Sequence, residues 1–496
     1  MKPTSESEHS LRKRQALRHG PVPPRPGGLG GFGSLVPRRK GGAALIKQIY
    51  ASAPICCLKC GAEMKIIAFT CLPAGRSSGI RPKSSRRSSA LNYAFWPATI
   101  QPHRKSRLLL VRTRCMMQRM MRRSLRTWGW ASVHGWAVSL ALALTLWSRA
   151  TQATEQAWWQ FRGPNGDGHT TATNLPLAWD ESRNVAWKTA IHDRGWSSPV
   201  VGGSQVWLTT ASRDGHRLYA VCADKDTGKI VHDLPVFEVE NPMRITDENT
   251  YATPTPVIEE GRVFVHFGTY GTACLDTATG RTLWTRRDLN CDHEVNAGPA
   301  SSPTLIDGKV VVHVDGRDVQ YIIALDRATG ETVWKTLRSI DFTDIPVHHR
   351  KAFCMPMVVP RGDGLQVVSP GGRAVYAYDF SGRELWRVRH RGFSVSPRPV
   401  FGHNLVFALI DHDNPELWAI RADGDGDVTD THIAWKQTRS MPQRCSPLLV
   451  GGLLFLVNRG GVATCLEART GKLVWNERLR GQYSASPIHA RNHIYL

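Results

Sequence analysis

Asp326-Arg-Ala-Thr-Gly-Glu-Thr-Val-Trp334 reads as a turn followed by a strand, and the same chemistry recurs along the chain. The Asp carboxylate accepts backbone amides in a type I turn, and Gly takes the left-handed position that a following bulge needs. Trp, four residues past the Gly, lands on the outer strand with a broad face to pack. Related stretches are Asp224-Lys-Asp-Thr-Gly228, Asp276-Thr-Ala-Thr-Gly-Arg-Thr-Leu-Trp284, Asp379-Phe-Ser-Gly-Arg-Glu-Leu-Trp386 and Glu467-Ala-Arg-Thr-Gly-Lys-Leu-Val-Trp475. His232 replaces Trp in the first copy, and Trp435 follows the divergent loop Asp423-Gly-Asp-Gly-Asp427.

A second signal precedes each turn: a small residue and a proline opening a short apolar strand. It occurs at Ser198-Pro199, Thr255-Pro256, Ser302-Pro303, Met355-Pro356, Ser396-Pro397, Ser446-Pro447 and Ser486-Pro487, at intervals of 40 to 57 residues. That interval suits one four-stranded unit. After Trp158 no ten-residue helical period appears, and apolar runs such as Lys309-Val-Val-Val-His-Val have strand length. Small sheets in tandem leave exposed edges unless they are arranged radially around a channel. The expected fold is therefore all-β: a β-propeller of seven to eight four-stranded blades over residues 158–496, with Trp187, Trp284, Trp334, Trp386, Trp435 and Trp475 docking blade on blade. Asn184-Val-Ala-Trp187-Lys-Thr has no preceding strands of its own and is expected to complete the final blade. The sequence stops at His493-Ile-Tyr-Leu496, in what should be a first strand, so the C-terminal blade is expected to be truncated.

The net charge of +23 lies outside this region. Residues 1–115 hold about 22 Lys and Arg against about 3 acids, and residues 116–157 add roughly four net positives, leaving the rest near neutral. A neutral propeller has no global attraction for phosphate backbones, so no nucleic acid is expected as a partner. The Pro-, Gly-, Ser- and Arg-rich residues 1–115 lack any sustained period and are expected to be a disordered basic extension from a misassigned start. Residues 116–153 have the form of a signal peptide: a basic start, the apolar run Trp136–Trp147, and small residues near Ala150 and Ala153. The expected location is periplasmic or secreted, with membrane attachment only through export or an uncleaved signal anchor, and the expected state is a monomer. Cys57-Leu-Lys-Cys60 is half a zinc ligand set without a second half. The propeller cysteines Cys222, Cys274, Cys291, Cys354, Cys445 and Cys465 read as buried thiols or as disulfides.

The Asp-x-x-Thr-Gly-x-x-x-Trp repeat resembles that of the pyrroloquinoline quinone (PQQ) type propellers, which include quinoprotein alcohol dehydrogenases and the propeller lipoprotein of the outer-membrane β-barrel assembly machinery. Trp159-Gln-Phe-Arg-Gly-Pro-Asn-Gly-Asp-Gly168, with Gly195-Trp-Ser-Ser-Pro199 and Asp427-Val-Thr-Asp-Thr-His-Ile-Ala-Trp435, is similar to a group of secreted bacterial PQQ-like repeat proteins. The resemblance covers residues 158–496 and none of the extension. For a dehydrogenase it implies a vicinal cysteine pair over the quinone, a stacking Trp, a calcium ion and an Asp base. The only adjacent cysteines, Cys56 and Cys57, lie outside the propeller.

No catalytic residue, metal site or cofactor is therefore expected, with PQQ and calcium as the disfavoured alternative. Asp423-Gly-Asp-Gly-Asp427 mimics a calcium loop, but Val428 and Ala434 stand where an EF-hand needs Gly and Glu. Asp411-His-Asp413 and His348-His349 lack further ligands nearby in sequence. The segments before each small-residue-Pro pair are expected to gather at one mouth of the channel, bringing Arg194, Trp196, Asn249, Tyr251, His293, Asn296, His348, Lys351, Arg391, Arg444 and Tyr483 around it. Such a rim suits an anionic or sugar-like ligand or an acidic loop of an envelope protein. The expected function is an exported, non-catalytic binding or scaffold module. The alternatives are a PQQ-dependent oxidoreductase and an outer-membrane protein assembly partner.

Overall fold

Local chemistry makes the strands: Lys309–Asp315 and Leu405–Ile410 are buried at nearly every position because both faces of an inner strand are covered by neighbouring sheets. The computed structural model describes the backbone of residues 55–56 and 63–65, and residues 157–496 apart from 173–174, 181 and 294–296. These all belong to one unit, Ala53–Leu496. The rest of the expected extension and the signal peptide lie outside the described residues.

Six sheets follow in chain order, each built on four antiparallel strands, and the fourth of them takes Gly426–Asp427 as a fifth, parallel strand. They run from Val200–Gly202 to Ile230–Glu238, Val257–Glu259 to Thr282–Arg286, Thr304–Ile306 to Thr332–Leu337, Met357–Arg361 to Glu384–Arg389, Val400–Gly402 to Ile433–Gln437, and Leu448–Val450 to Leu473–Arg478. A seventh sheet holds the hairpin of Ile488–Ala490 and His493–Tyr495. His169–Thr170 lies parallel beside its first strand, and Glu63–Lys65, itself paired with Ile55–Cys56, lies parallel beside its second. The protein is a β-propeller.

Four of the six tryptophans dock sheet on sheet in one way. The Trp284, Trp334 and Trp435 rings lie flat on Gly330, Gly382 and Gly471 of the following sheet's turn, so close that a Cβ there would come within 2.7 Å of the indole. Their indole N–H groups donate to Arg327 O (3.1 Å), Phe380 O (3.0 Å) and Ala468 O (3.1 Å). Trp187 does the same to Gly228 and Lys225 O (2.8 Å) of the first sheet, although residues 185–189 form no strand. Trp386 instead is fully buried and donates to Gln366 Oε1 of its own sheet (2.9 Å), and Trp475 packs against Phe455.

Opposite each of these rings stands a small residue: Cys274, Ala324, Ala377, Ala419 and Cys465 face Trp284, Trp334, Trp386, Trp435 and Trp475 across the strand pair. Cys222 faces His232 in the same way. This accounts for three of the cysteines as small apolar side chains. All six are buried, and burial pushes the Cys222, Cys274, Cys354 and Cys445 thiols up to about 12.

The hydroxyls that precede most of these prolines have a positional cause. Ser198 N donates to Thr255 Oγ1 (3.0 Å), Thr255 N to Ser302 Oγ (2.9 Å), Arg398 N to Ser446 Oγ (3.0 Å) and Ser446 N to Ser486 Oγ (2.9 Å), a belt linking blade to blade. The belt corrects one reading of the sequence: the fifth blade opens at Arg398-Pro399, with its first strand at Val400, and Ser396-Pro397 lies in the preceding loop.

Candidate functional site

Residues Trp158–Thr170, the segment containing Trp159-Gln-Phe-Arg-Gly-Pro-Asn-Gly-Asp-Gly168, lie against the innermost strands on opposite arcs of the ring. Trp158 exchanges two backbone hydrogen bonds with Val201 of the first sheet, and Trp159 O accepts from Ile258 N of the second (2.9 Å). Phe161 O accepts from Arg398 at the head of the fifth sheet (3.2 Å), and His169 reaches Leu449 O of the sixth (2.7 Å). Gly168 O accepts from His489 N of the seventh (2.8 Å). A segment bonded to sheets one, two, five, six and seven crosses the channel and ties the last sheet to the first. The sequence presents this stretch as a motif; its lack of any period gives no sign that it is a plug.

On the Ser-Pro side, the expected rim residues are not equivalent. Tyr251 and Tyr483 turn inward: their hydroxyls donate to Met243 O (2.7 Å) and Arg480 O (2.9 Å), and burial raises both phenol pKa values. Asn249 anchors loops through Ala297 O (2.6 Å) and Pro299 O (3.1 Å). Arg194 pairs with Ala211 through its backbone and reaches Asp247 O (3.2 Å). Trp196 keeps 48% of its surface exposed. His348 packs edge-on against His349, which stacks on Phe393 (both 4.1 Å between ring centroids). Arg391 is exposed, its carbonyl accepting from Arg373. Asn296 lies outside the described residues.

Two features were not legible in the sequence. Glu248, on the loop between the first and second sheets, accepts from Arg444 and from Arg459 Nη2 (3.1 Å), residues 196 and 211 positions away. Hydrogen bonding and charge from Arg444, then Arg459, hold its carboxyl below the usual range. The second is a cleft with room for roughly one water, lined by His266, His293, His313, Cys291, Ser301 and Asp315 between the second and third sheets. Burial pushes His266 down to about 3 and His293 and His313 to about 4. Lys351 lies buried at the rim and burial lowers it to about 8.

His313 Nε2 lies 2.7 Å from Ser301 Oγ, a nucleophile-to-base distance. The third member of such a set is engaged elsewhere, however. Asp315 is held bidentately by Arg338 (3.0 and 2.9 Å), which also bonds Tyr378 and Ser369. Burial opposes the Arg338 charge, but Asp315 outweighs it and raises its pKa. In the first blade the corresponding Ser197 ties to the Thr209 backbone (2.9 Å), so Ser301 occupies a strand-anchoring position. The acidic loop Asp423–Asp427 is likewise committed: Asp425 pairs with Arg361 (2.7 Å), and Asp427 with Arg389 (2.5 Å) and Arg387 (3.4 Å).

A family model described as outer membrane protein assembly factor BamB matches residues 177–336, 320–445 and 427–496. Among curated proteins, the outer membrane protein assembly factor BamB of Legionella pneumophila (strain Paris) is 25% identical over 201 residues, covering 40% of this chain and 48% of the relative. The chain thus spans about half the length of the curated relative it matches. Among solved structures, BamB from Moraxella catarrhalis aligns with a TM-score of 0.48 at 16% identity, over 62% of this chain and 83% of that one. A quinohemoprotein alcohol dehydrogenase from Comamonas testosteroni aligns with a TM-score of 0.40 at 12% identity, over 69% and 76%. With the three matched segments together spanning well over half the sequence, the chain belongs to the PQQ_2 repeat family, described as outer membrane protein assembly factor BamB.

Proposed function

We propose that the chain is an exported, non-catalytic propeller that binds an acidic segment of an envelope protein through the mouth on its Ser-Pro side. The observation that carries this reading is the Glu248 carboxylate seated on Arg444 and Arg459: the mouth already recognises one carboxylate, supplied by the chain itself. Exposed ion pairs contribute little net stability, so a partner presenting several carboxylates displaces this one readily. Trp196 and the His348–His349–Phe393 stack add the aromatic surface that interfaces favour. The name of the matched family makes components of outer-membrane protein assembly the partner class to try first.

Capture from envelope extracts tests this. Glu248→Gln, which frees both guanidinium groups, is expected to raise capture several-fold, and Arg444→Glu to lower it at least tenfold. Recovery of no envelope protein by the wild type, or the opposite order of the two variants, overturns the reading. The plug across the channel supports a function without quinone, because the seat at the ring's centre is taken by the chain. Calorimetric titration with PQQ and calcium is expected to give no saturable heat; stoichiometric binding with dye-linked alcohol oxidation would reverse that. Export predicts an N-terminal residue of the mature protein within positions 150 to 157. No helix among the described residues is long and apolar enough to cross a membrane.

A further inference from the structure

Arg398 stands where the belt elsewhere has Ser198, Thr255, Ser302, Ser446 or Ser486, and its side chain turns in toward the plug. Its guanidinium lies against Gly166, where a Cβ would sit 1.9 Å from Nη1, so only glycine leaves it room. Arg162, on the same turn of the plug, has its guanidinium beneath Gly168 and donates through Nη2 to Asp167 O (2.9 Å) and Pro487 O (3.3 Å). Arg162 is 4% exposed and Arg398 3%. Nε and Nη1 of Arg162 and Nε of Arg398 have no hydrogen-bond partner. Among the described residues neither guanidinium is ion-paired, and the Asp167 carboxylate on that turn accepts from His169 N instead (3.0 Å).

Two buried cations facing one turn, with carbonyls as their only acceptors, are costly to fold. Burial lowers Arg162 to about 9, with the Arg398 charge adding to it, and burial lowers Arg398 to about 10. We propose that Arg162 and Arg398 form a binding site for a small oxyanion at the centre of the ring, of the phosphate or carboxylate class, which neutralises both guanidinium groups and locks the plug. Two guanidinium forks with free donors match the paired oxygens of such an anion. Positive charge on both sides excludes a cation. The burial of both guanidinium groups between the plug and the ring excludes a macromolecular ligand and leaves a free small anion as the occupant.

The test is thermal unfolding of the full chain in inorganic phosphate, acetate and sodium chloride at matched ionic strength. Phosphate or acetate is expected to raise Tm saturably, by several degrees more than chloride, and whichever acts at lower concentration identifies the class. Arg398→Met is expected to weaken that response at least tenfold in midpoint concentration, while its Tm without oxyanion equals or exceeds that of the wild type, because an apolar stem replaces an unpaired charge. Arg162→Lys, which keeps the charge but loses the fork, is expected to fold and to bind at least fivefold more weakly. Equal shifts from chloride and the oxyanions, or an undiminished response in Arg398→Met, would overturn the site.

Discussion

Gly330 and Gly308 share a backbone conformation and differ in their surroundings. Both are left-handed, at φ +75° and +71°, but a Cβ on Gly330 would lie 2.7 Å from the Trp284 ring, whereas Gly308 has nothing within 4 Å. Alanine at Gly308 therefore meets only the backbone penalty, about 1 kcal/mol. Alanine at Gly330 also forces the indole off its seat and is expected to cost ~3 kcal/mol. Denaturant midpoints of the two variants check this, and equal losses would mean that the indole is not a blade-to-blade fastener. The turn itself was legible because its chemistry is local. Asp326 Oδ1 accepts from Ala328 N (2.8 Å) and Thr329 N (2.9 Å), which any reader of Asp-x-x-Thr-Gly expects. Arg398 was not legible: Pro397 and Pro399 stand two residues apart, and only the hydrogen bond from Arg398 N to Ser446 Oγ shows which one opens the blade.

Among the elements, strands and their order followed from the repeat, while the plug did not. A strand announces itself by apolar alternation and flanking turns; Trp158–Thr170 is held by bonds to inner strands as distant as Pro487, and such contacts leave no trace in local sequence. The Glu248 ion pairs were missed for the same reason, although Asn249 and Tyr251 had placed that loop at the mouth, since the paired guanidinium groups lie in another blade. The plug also predicts a pattern of amide protection. Val201, Ile258 and His489 donate their N–H groups to it, whereas Ile322 and Ile323 lie in the third sheet's own ladder. Removing residues 157–170 is expected to speed hydrogen exchange at the first three by at least tenfold and to leave the other two nearly unchanged. Uniform acceleration everywhere would mean that the ring does not survive without its plug, and no change would mean that the segment is not a fastener.

For the molecule as a whole, titration of buried imidazoles sets the stability in mild acid. Burial depresses His266 and His390 to about 3, and His293 and His313 to about 4. The unfolded chain protonates these groups near 6.5, so above that pH both states are neutral and the full stability is present. Between pH 6.5 and about 4 the unfolded state takes up protons that the folded state refuses, and stability falls by about 1.4 kcal/mol per pH unit for each imidazole. His192 runs the other way: burial opposes its charge, but Asp233 and Asp193 outweigh that and raise its pKa, offsetting part of one proton. The turn carboxylates Asp224, Asp276 and Asp326 are held below their usual range chiefly by hydrogen bonds from Thr227, Thr279 and Thr329. Their contribution is lost only below the unfolded carboxylate pKa, which leaves the window from 6.5 to 4 to the histidines. His349, His412 and His489 are also lowered, chiefly by burial, so denaturant unfolding in the middle of that window is expected to show a net uptake of at least three protons. In His390→Leu, which removes one imidazole beside Trp418, the slope is expected to drop by about one proton with little loss at pH 8. A flat profile from 6.5 to 4 would place these rings in contact with water and remove the buried core that the closed ring requires.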